Sequence, residues 1–160
     1  LMKPITREAV QKEIDHIKSK NPSVSLLDVK CFGNFEVLKN GEALNFKRTK
    51  AKELFAVLVD RNGAGMTSKQ ICGALFPSNT DDKKNSAYLR QLVMDLKNTL
   101  KTVGAEDVLC HETPCYRVDA KLIKCDYFSY LETGKPEFYG EYMSQFSWAE
   151  DTCANLQFKK

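Results

Sequence analysis

Long apolar runs are missing from this sequence. The longest, such as Leu54-Phe-Ala-Val-Leu-Val59, fall far below the roughly 18 residues that a membrane-spanning helix needs. No apolar stretch followed by small residues opens the chain, so no secretory signal is read and a cytoplasmic location is expected. Cys31, Cys72, Cys110, Cys115, Cys125 and Cys153 form no C-x-x-C pair. In that setting reduced thiols are the expectation. Cys110-His111 followed by Cys115 and Cys125 suggests zinc, but the spacing fits none of the usual paired-ligand patterns. The cysteines are read as small apolar core residues, and no metal or cofactor is expected. Gly63-Ala-Gly65 lacks the glycine patterns that cradle phosphates. The two histidines, His16 and His111, lie in unrelated contexts, and Cys110 beside His111 has no orienting acid at a recognisable spacing. An enzyme is therefore not expected.

What is present is an uneven charge distribution. The chain has 160 residues and a formal net charge of +3, a length that suits one compact domain with appendages. Residues 47–101 hold 11 Lys and Arg against 5 Asp and Glu, a surplus of six, whereas the remainder holds 13 against 16. The sequence pI of 8.5 is short of the value above about 9 that marks a strong nucleic-acid footprint, so the asymmetry says more than the total.

Along the chain, Ile5, Val10, Ile14 and Ile17 predict an amphipathic helix over residues 1–22, stopped by Asn21-Pro22. Residues 26–46 predict an antiparallel meander of about three strands, with Asn40-Gly41 as its hairpin turn. Thr49 is the expected N-cap of a helix carrying Leu54, Phe55, Leu58 and Val59. Thr67 or Ser68 caps a second short helix that stops at Pro77. Asp81 or Asp82 caps a third, running to about Val103 and ended by Gly104. Val108-Leu109-Cys110 and Tyr116-Arg117-Val118 frame Glu112-Thr113-Pro114 as a hairpin. Helical fragments are expected around Tyr127–Leu131 and Trp148–Leu156.

The third helix points to function. Leu89, Leu92, Val93, Leu96, Leu100 and Val103 recur at steps of three and four, which makes one apolar stripe. The opposite face carries Lys84, Ala87, Gln91, Met94 and Asn98, with Arg90 and Lys101 beside it. Such a face suits a DNA major groove, where Gln or Asn pairs with adenine and Arg with guanine. The competing reading is a merely solvated polar face. The segment Lys47-Arg48-Thr49-Lys50-Ala51-Lys52 puts cations at a helix start, locally unfavourable for the helix dipole unless an anion lies nearby. A solvated charge run explains it equally well.

The runs Cys31-Phe-Gly-Asn-Phe-Glu-Val37, Phe46-Lys-Arg-Thr-Lys-Ala-Lys-Glu-Leu-Phe55 and Ser86-Ala-Tyr-Leu-Arg-Gln-Leu-Val-Met-Asp-Leu-Lys97 resemble the DNA-binding domain of SARP-type bacterial transcriptional activators. The resemblance implies an α+β OmpR-type winged helix: an N-terminal antiparallel sheet, three helices and a C-terminal wing hairpin. The domain is expected over residues 26–119. Tyr139-Gly-Glu-Tyr-Met143 and Trp148-Ala-Glu150 resemble the start of a bacterial transcriptional activator domain, so 120–160 is expected to be a short helical tail. Leu1-Met-Lys-Pro-Ile-Thr6 is similar to the end of a receiver domain, which makes 1–22 a remnant of an upstream receiver or linker.

Together these imply the C-terminal effector part of a two-component response regulator, controlled by receiver phosphorylation and dimerising on double-stranded DNA. Residues 83–103 are the expected recognition helix and 108–118 the wing. The expected DNA contacts on the helix are Lys83, Lys84, Ser86, Ala87, Tyr88, Arg90, Gln91, Met94, Asn98 and Lys101. Arg48, Thr49, Lys50 and Lys52 approach the backbone, and Arg117 is the arginine nearest the wing tip. Asp95 falls within the recognition helix, where it repels phosphates or accepts from cytosine N4. The alternative function is a protein–protein interaction module, for RNA polymerase or self-association, built on Phe138, Tyr139, Tyr142, Phe146 and Trp148.

Overall fold

The computed structural model describes residues 25–78 and 80–158. The helix expected over 1–22, and His16 with it, lie outside the described residues. The described residues form a mixed α+β fold with five α-helices and two small sheets.

The first sheet begins with β1 (Leu27–Lys30), β2 (Glu36–Lys39) and β3 (Glu42–Ala43). Leu27, Val29 and Val37 turn inward and their neighbours outward, as the two-residue period of a strand requires. Asn40 and Gly41 sit at φ 52° and 85°. Both central residues of the turn are left-handed, which matches strand twist and explains why Asn-Gly marks this hairpin. β3 is shorter than the apolar pattern suggests, because Leu44 and Phe46 leave the sheet to pack against the core.

α1 (Thr49–Asp60) is the central helix, with Leu54, Phe55, Ala56, Leu58 and Val59 fully buried. Its N-cap is Arg48 rather than Thr49, and no side chain caps it. Thr49 is the first helical residue and is exposed. Two residues, β4 (Met66–Thr67), lead into α2 (Ser68–Leu75). There the Thr67 hydroxyl accepts from Gln70 N at 3.2 Å, and Gln70 Oε1 accepts from Thr67 N at 2.9 Å. This reciprocal capping box satisfies two donors that a helix start otherwise leaves open. α3 (Asp82–Thr102) is capped by Asp81, which accepts from Lys84 N at 3.2 Å. Leu89, Leu92, Val93, Leu96 and Leu100 are buried as its stripe predicts. The wing, β5 (Leu109–Glu112) and β6 (Cys115–Val118), pairs from Leu109↔Val118 to Glu112↔Cys115. β4 joins it through Met66↔Tyr116, giving a sheet of order β4-β6-β5.

Residues after the wing return to the first sheet. β7 (Ile123–Cys125) runs parallel to β1, so the order is β3-β2-β1-β7. α4 (Asp126–Thr133) follows, and α5 (Glu150–Phe158) closes the described chain. The segment between them is bolted to the core. Met143 N donates to Cys31 O at 2.7 Å. Gln145 brackets the main chain of Phe35, its Oε1 accepting at 2.8 Å and its Nε2 donating at 3.1 Å. Trp148 Nε1 donates to Glu53 at 2.8 Å, and Tyr142 Oη and Thr152 Oγ1 both donate to Asp60 Oδ1 at 2.7 Å.

Tyr142 meets Tyr127 edge to face, ring centroids 5.0 Å apart. Burial pushes the Tyr127 phenol up to about 12 and the Tyr142 phenol far above its ordinary range, with Asp60 adding to both. Below about pH 10 the phenols are neutral in folded and unfolded chains alike. Above it the unfolded chain ionises while the folded one keeps its protons, so stability falls as pH rises. Each tyrosine contributes a slope of about 1.4 kcal/mol per pH unit, until its own folded value is passed. In an alkaline titration, Tyr142 is expected to ionise only together with loss of helical circular dichroism, whereas Tyr127 ionises on passing its own value of about 12. Ionisation of both rings in a still-folded chain contradicts this packing.

Candidate nucleic-acid interface

α3 presents one face to the core and one to solvent. On the solvent face Lys83, Lys84, Ala87, Arg90, Gln91, Asn98 and Lys101 are exposed, and Met94 is 59% exposed. α1 and α2 support this helix from behind, and Leu92, Leu96 and Leu100, fully buried on its inner side, fix its rotation. A helix of 21 residues is about 32 Å long at 1.5 Å per residue, enough to lay several turns along a groove. Asn98, Ala87 and Gln91 fall within about 40° of one another around the axis at 100° per residue. The structure therefore brings together the residues expected to face bases.

The flanking cations divide into two groups. Arg48 Nε lies 3.3 Å from Asp95 Oδ2, and Lys50 Nζ lies 3.0 Å from Glu53. Lys52 Nζ lies 3.3 Å from Glu36. Arg117 holds Glu112 through two nitrogens, at 3.0 and 3.3 Å. Hydrogen bonding between these two pulls the Glu112 carboxyl down and raises the Arg117 guanidinium. These four side chains are half-buried, and each has an internal carboxylate partner. Among the described residues Lys83, Lys84, Arg90 and Lys101 carry no ion pair, so their charge is undiminished by protein.

Tyr88 and Ser86 sit at the edge of the face. Tyr88 stacks on Phe76 at 5.3 Å, and Lys50 Nζ rests 5.6 Å from the same ring. Ser86 is half-buried. Asp95 departs from expectation. It is only 3% exposed, because the segment leading to α1 folds Arg48 over it. It is therefore removed from any phosphate or cytosine that the helix meets. Beside it lies a cavity of about 400 Å³ lined by Asn45, Phe46, Lys47, Asp95, Asn98, Thr99 and Thr102. Lys47, Asn45 and Thr102 add donors next to Asn98 that helical spacing alone does not single out, since two of them precede α1.

Other clusters serve the fold. Cys31 Sγ and Cys125 Sγ are 3.5 Å apart, and Asp126 completes a group whose ligand atoms lie within 4.8 Å. Both carboxylate oxygens are already committed: Oδ1 accepts from Cys31 N and Tyr127 N, and Oδ2 from Phe32 N. Burial, followed by the Cys125 contact, holds the Cys31 thiol well above its ordinary range. This is poor provision for a metal, which needs deprotonated thiols. Cys110, Cys115 and His111 lie on the wing, where His111 stacks on Tyr116 at 4.2 Å. Of the tail aromatics, Phe138 and Tyr142 are buried, Phe146 and Trp148 are half-buried and stack on each other, and Tyr139 is 84% exposed. No helix among the described residues is long and apolar enough to cross a membrane.

No protein-family model matches the chain, and no curated protein is similar to it in sequence. Among solved structures it is similar to EmbR of Mycobacterium tuberculosis, determined in complex with a low-affinity phosphopeptide. The TM-score is 0.67 at 17% identity, over 85% of this chain and 43% of that one. The chain thus spans less than half the length of this neighbour. At the level of fold the chain is an α+β winged helix similar to that of this neighbour.

Proposed function

We propose that this chain is a sequence-specific DNA-binding transcriptional regulator that lays α3 in the major groove of double-stranded DNA. The observation that carries this reading is the exposed stripe of Gln91, Met94 and Asn98, flanked by Lys83, Lys84, Arg90 and Lys101, on a helix whose other side is buried. Amides read base edges, Met94 and Ala87 suit thymine methyls, and the cations meet phosphates on either side. The half-buried Arg48, Lys50 and Lys52 contribute less, because internal carboxylates already offset them. Lys47, exposed beside Asn98, joins the phosphate contacts. Arg117 reaches the minor groove only by releasing Glu112.

The resemblance to SARP-type activators supports a finer assignment. The chain acts as the effector domain of a two-component response regulator in the cytoplasm, with residues 1–22 leading from an upstream receiver. Two copies bind adjacent half-sites, whose spacing mirrors the protein symmetry. The aromatic residues of the tail, of which Tyr139 is the most exposed, support RNA polymerase as a candidate partner. Catalysis forms no part of this reading.

Selection from random duplexes tests it. The selected duplex is expected to bind at least 1,000-fold more tightly than a scrambled one, the usual scale of specific over non-specific binding. Its affinity should fall with log salt at a slope near −0.9 per phosphate contact. Equal affinity for selected and scrambled duplexes overturns sequence-specific reading.

A further inference from the structure

Asp95 lies about 40° around the helix from Gln91 at 100° per residue, on the shoulder of the exposed face. It is nevertheless 3% exposed, beneath Arg48. Its Oδ1 accepts from Gln91 Nε2 at 3.4 Å. Its Oδ2 is 3.3 Å from Arg48 Nε but lacks the alignment of a hydrogen bond. Its backbone carbonyl accepts from Thr99 Oγ1 at 3.0 Å. A buried carboxylate with an oxygen short of a hydrogen bond is costly for a fold. An apolar side chain in this place avoids that cost, which points to a task for the carboxylate beyond packing.

We propose that Asp95 is a positioning residue for base selection, acting through Gln91. This rests on the DNA-binding reading and deepens it. An ionised carboxylate only accepts hydrogen bonds, so the end of the Gln91 amide that faces it is the NH2. Gln91 Oε1 is thereby turned away from Asp95, toward the open side of α3. One N–H of the amide is left over. The group offered to a base is an acceptor with a single donor beside it. In the major groove an acceptor meets the exocyclic amino group of adenine or cytosine, and the leftover N–H fits adenine N7. Guanine and thymine offer only acceptors there; either can take the leftover N–H, but neither can serve Gln91 Oε1, so both are disfavoured. Arg48 cancels the charge of Asp95, so the orientation is imposed without repelling phosphates.

The test is selection on random duplexes with the wild-type chain, Gln91→Ala and Asp95→Asn, with circular dichroism of each. Gln91→Ala identifies the base position that Gln91 reads. At that position the wild type is expected to favour adenine or cytosine over guanine and thymine by about ten-fold. Asp95→Asn offers the Gln91 amide either an acceptor or a donor, so it is expected to lose this preference to within about two-fold while the other positions keep theirs. A purely structural role for Asp95 lowers affinity across all positions and leaves the preference intact, which overturns the proposal. A wild-type preference for guanine or thymine at the Gln91 position overturns it as well. So does a Gln91→Ala selection identical to that of the wild type, with DNA binding itself upheld. Should Asp95→Asn fail to fold, Asp95→Ser, whose hydroxyl likewise both donates and accepts, takes its place and is read in the same way. If the wild type selects no sequence, the DNA-binding reading falls and takes this inference with it.

Discussion

Replacing Lys83, Lys84, Arg90 and Lys101 together by alanine is expected to weaken duplex binding about 1,000-fold near 0.15 M salt. The magnitude follows from counterion release: a slope near −0.9 per phosphate makes each contact worth about five-fold at that salt. The salt slope should fall by nearly four units. All four side chains are exposed on α3, and alanine is the best helix former, so the fold should tolerate the change. Replacing Lys50 and Lys52 by alanine is the contrasting variant. Glu53 and Glu36 already hold those two, so the loss should stay below that of any two of the four. Fluorescence anisotropy across a salt series separates the two variants. If the Lys50/Lys52 variant loses as much as the fourfold one, the duplex lies along the start of α1 rather than along α3.

Tyr142→Ala is expected to destabilise the chain by about 4 kcal/mol, the middle of the range for removing a large buried aromatic ring. A loss of that size is a large part of the 5–15 kcal/mol that typically stabilises a domain. Tyr142 is buried, its ring meets Tyr127, its hydroxyl donates to Asp60, and its backbone bridges to Phe32. Tyr142→Phe should cost about 2 kcal/mol, the value of a hydrogen bond to a charged group. Thr152 continues to serve Asp60 in that variant. Urea unfolding measures both. A cost below about 1 kcal/mol for the alanine variant means that residues 136–150 merely rest on the winged helix. The full cost means that the tail and the winged helix unfold as one unit.

The elements with local signatures were legible. Asn40-Gly41 and the starts of α2 and α3 act within three or four residues, so they show in consecutive letters. Even so, the sequence leaves Thr67 or Ser68 and Asp81 or Asp82 open as caps, and it puts the α1 cap at Thr49 instead of Arg48. The α3 stripe was equally plain, since burial at steps of three and four leaves a periodic trace. β7 was not. Ile123-Lys-Cys125 is three residues long and pairs with a strand far behind it in sequence, and parallel pairing has no turn to announce it. β4 is two residues that also begin a cap.

The candidate interface divides along the same line. Which residues of α3 are polar and which apolar was determined by the sequence alone, because a helix converts spacing directly into faces. So was the positive surplus of residues 47–101. Only the tertiary structure decided which of those charges remain available. Ion pairs such as Lys52 with Glu36 join different elements, and Arg48 reaches Asp95 across more than forty positions. Periodicity assigns a side chain to a face of its own helix, but it holds no record of what another segment lays over that face. That is why Gln91 and Asn98 could be anticipated in solvent, while the burial of Asp95 between them depended on the folded chain.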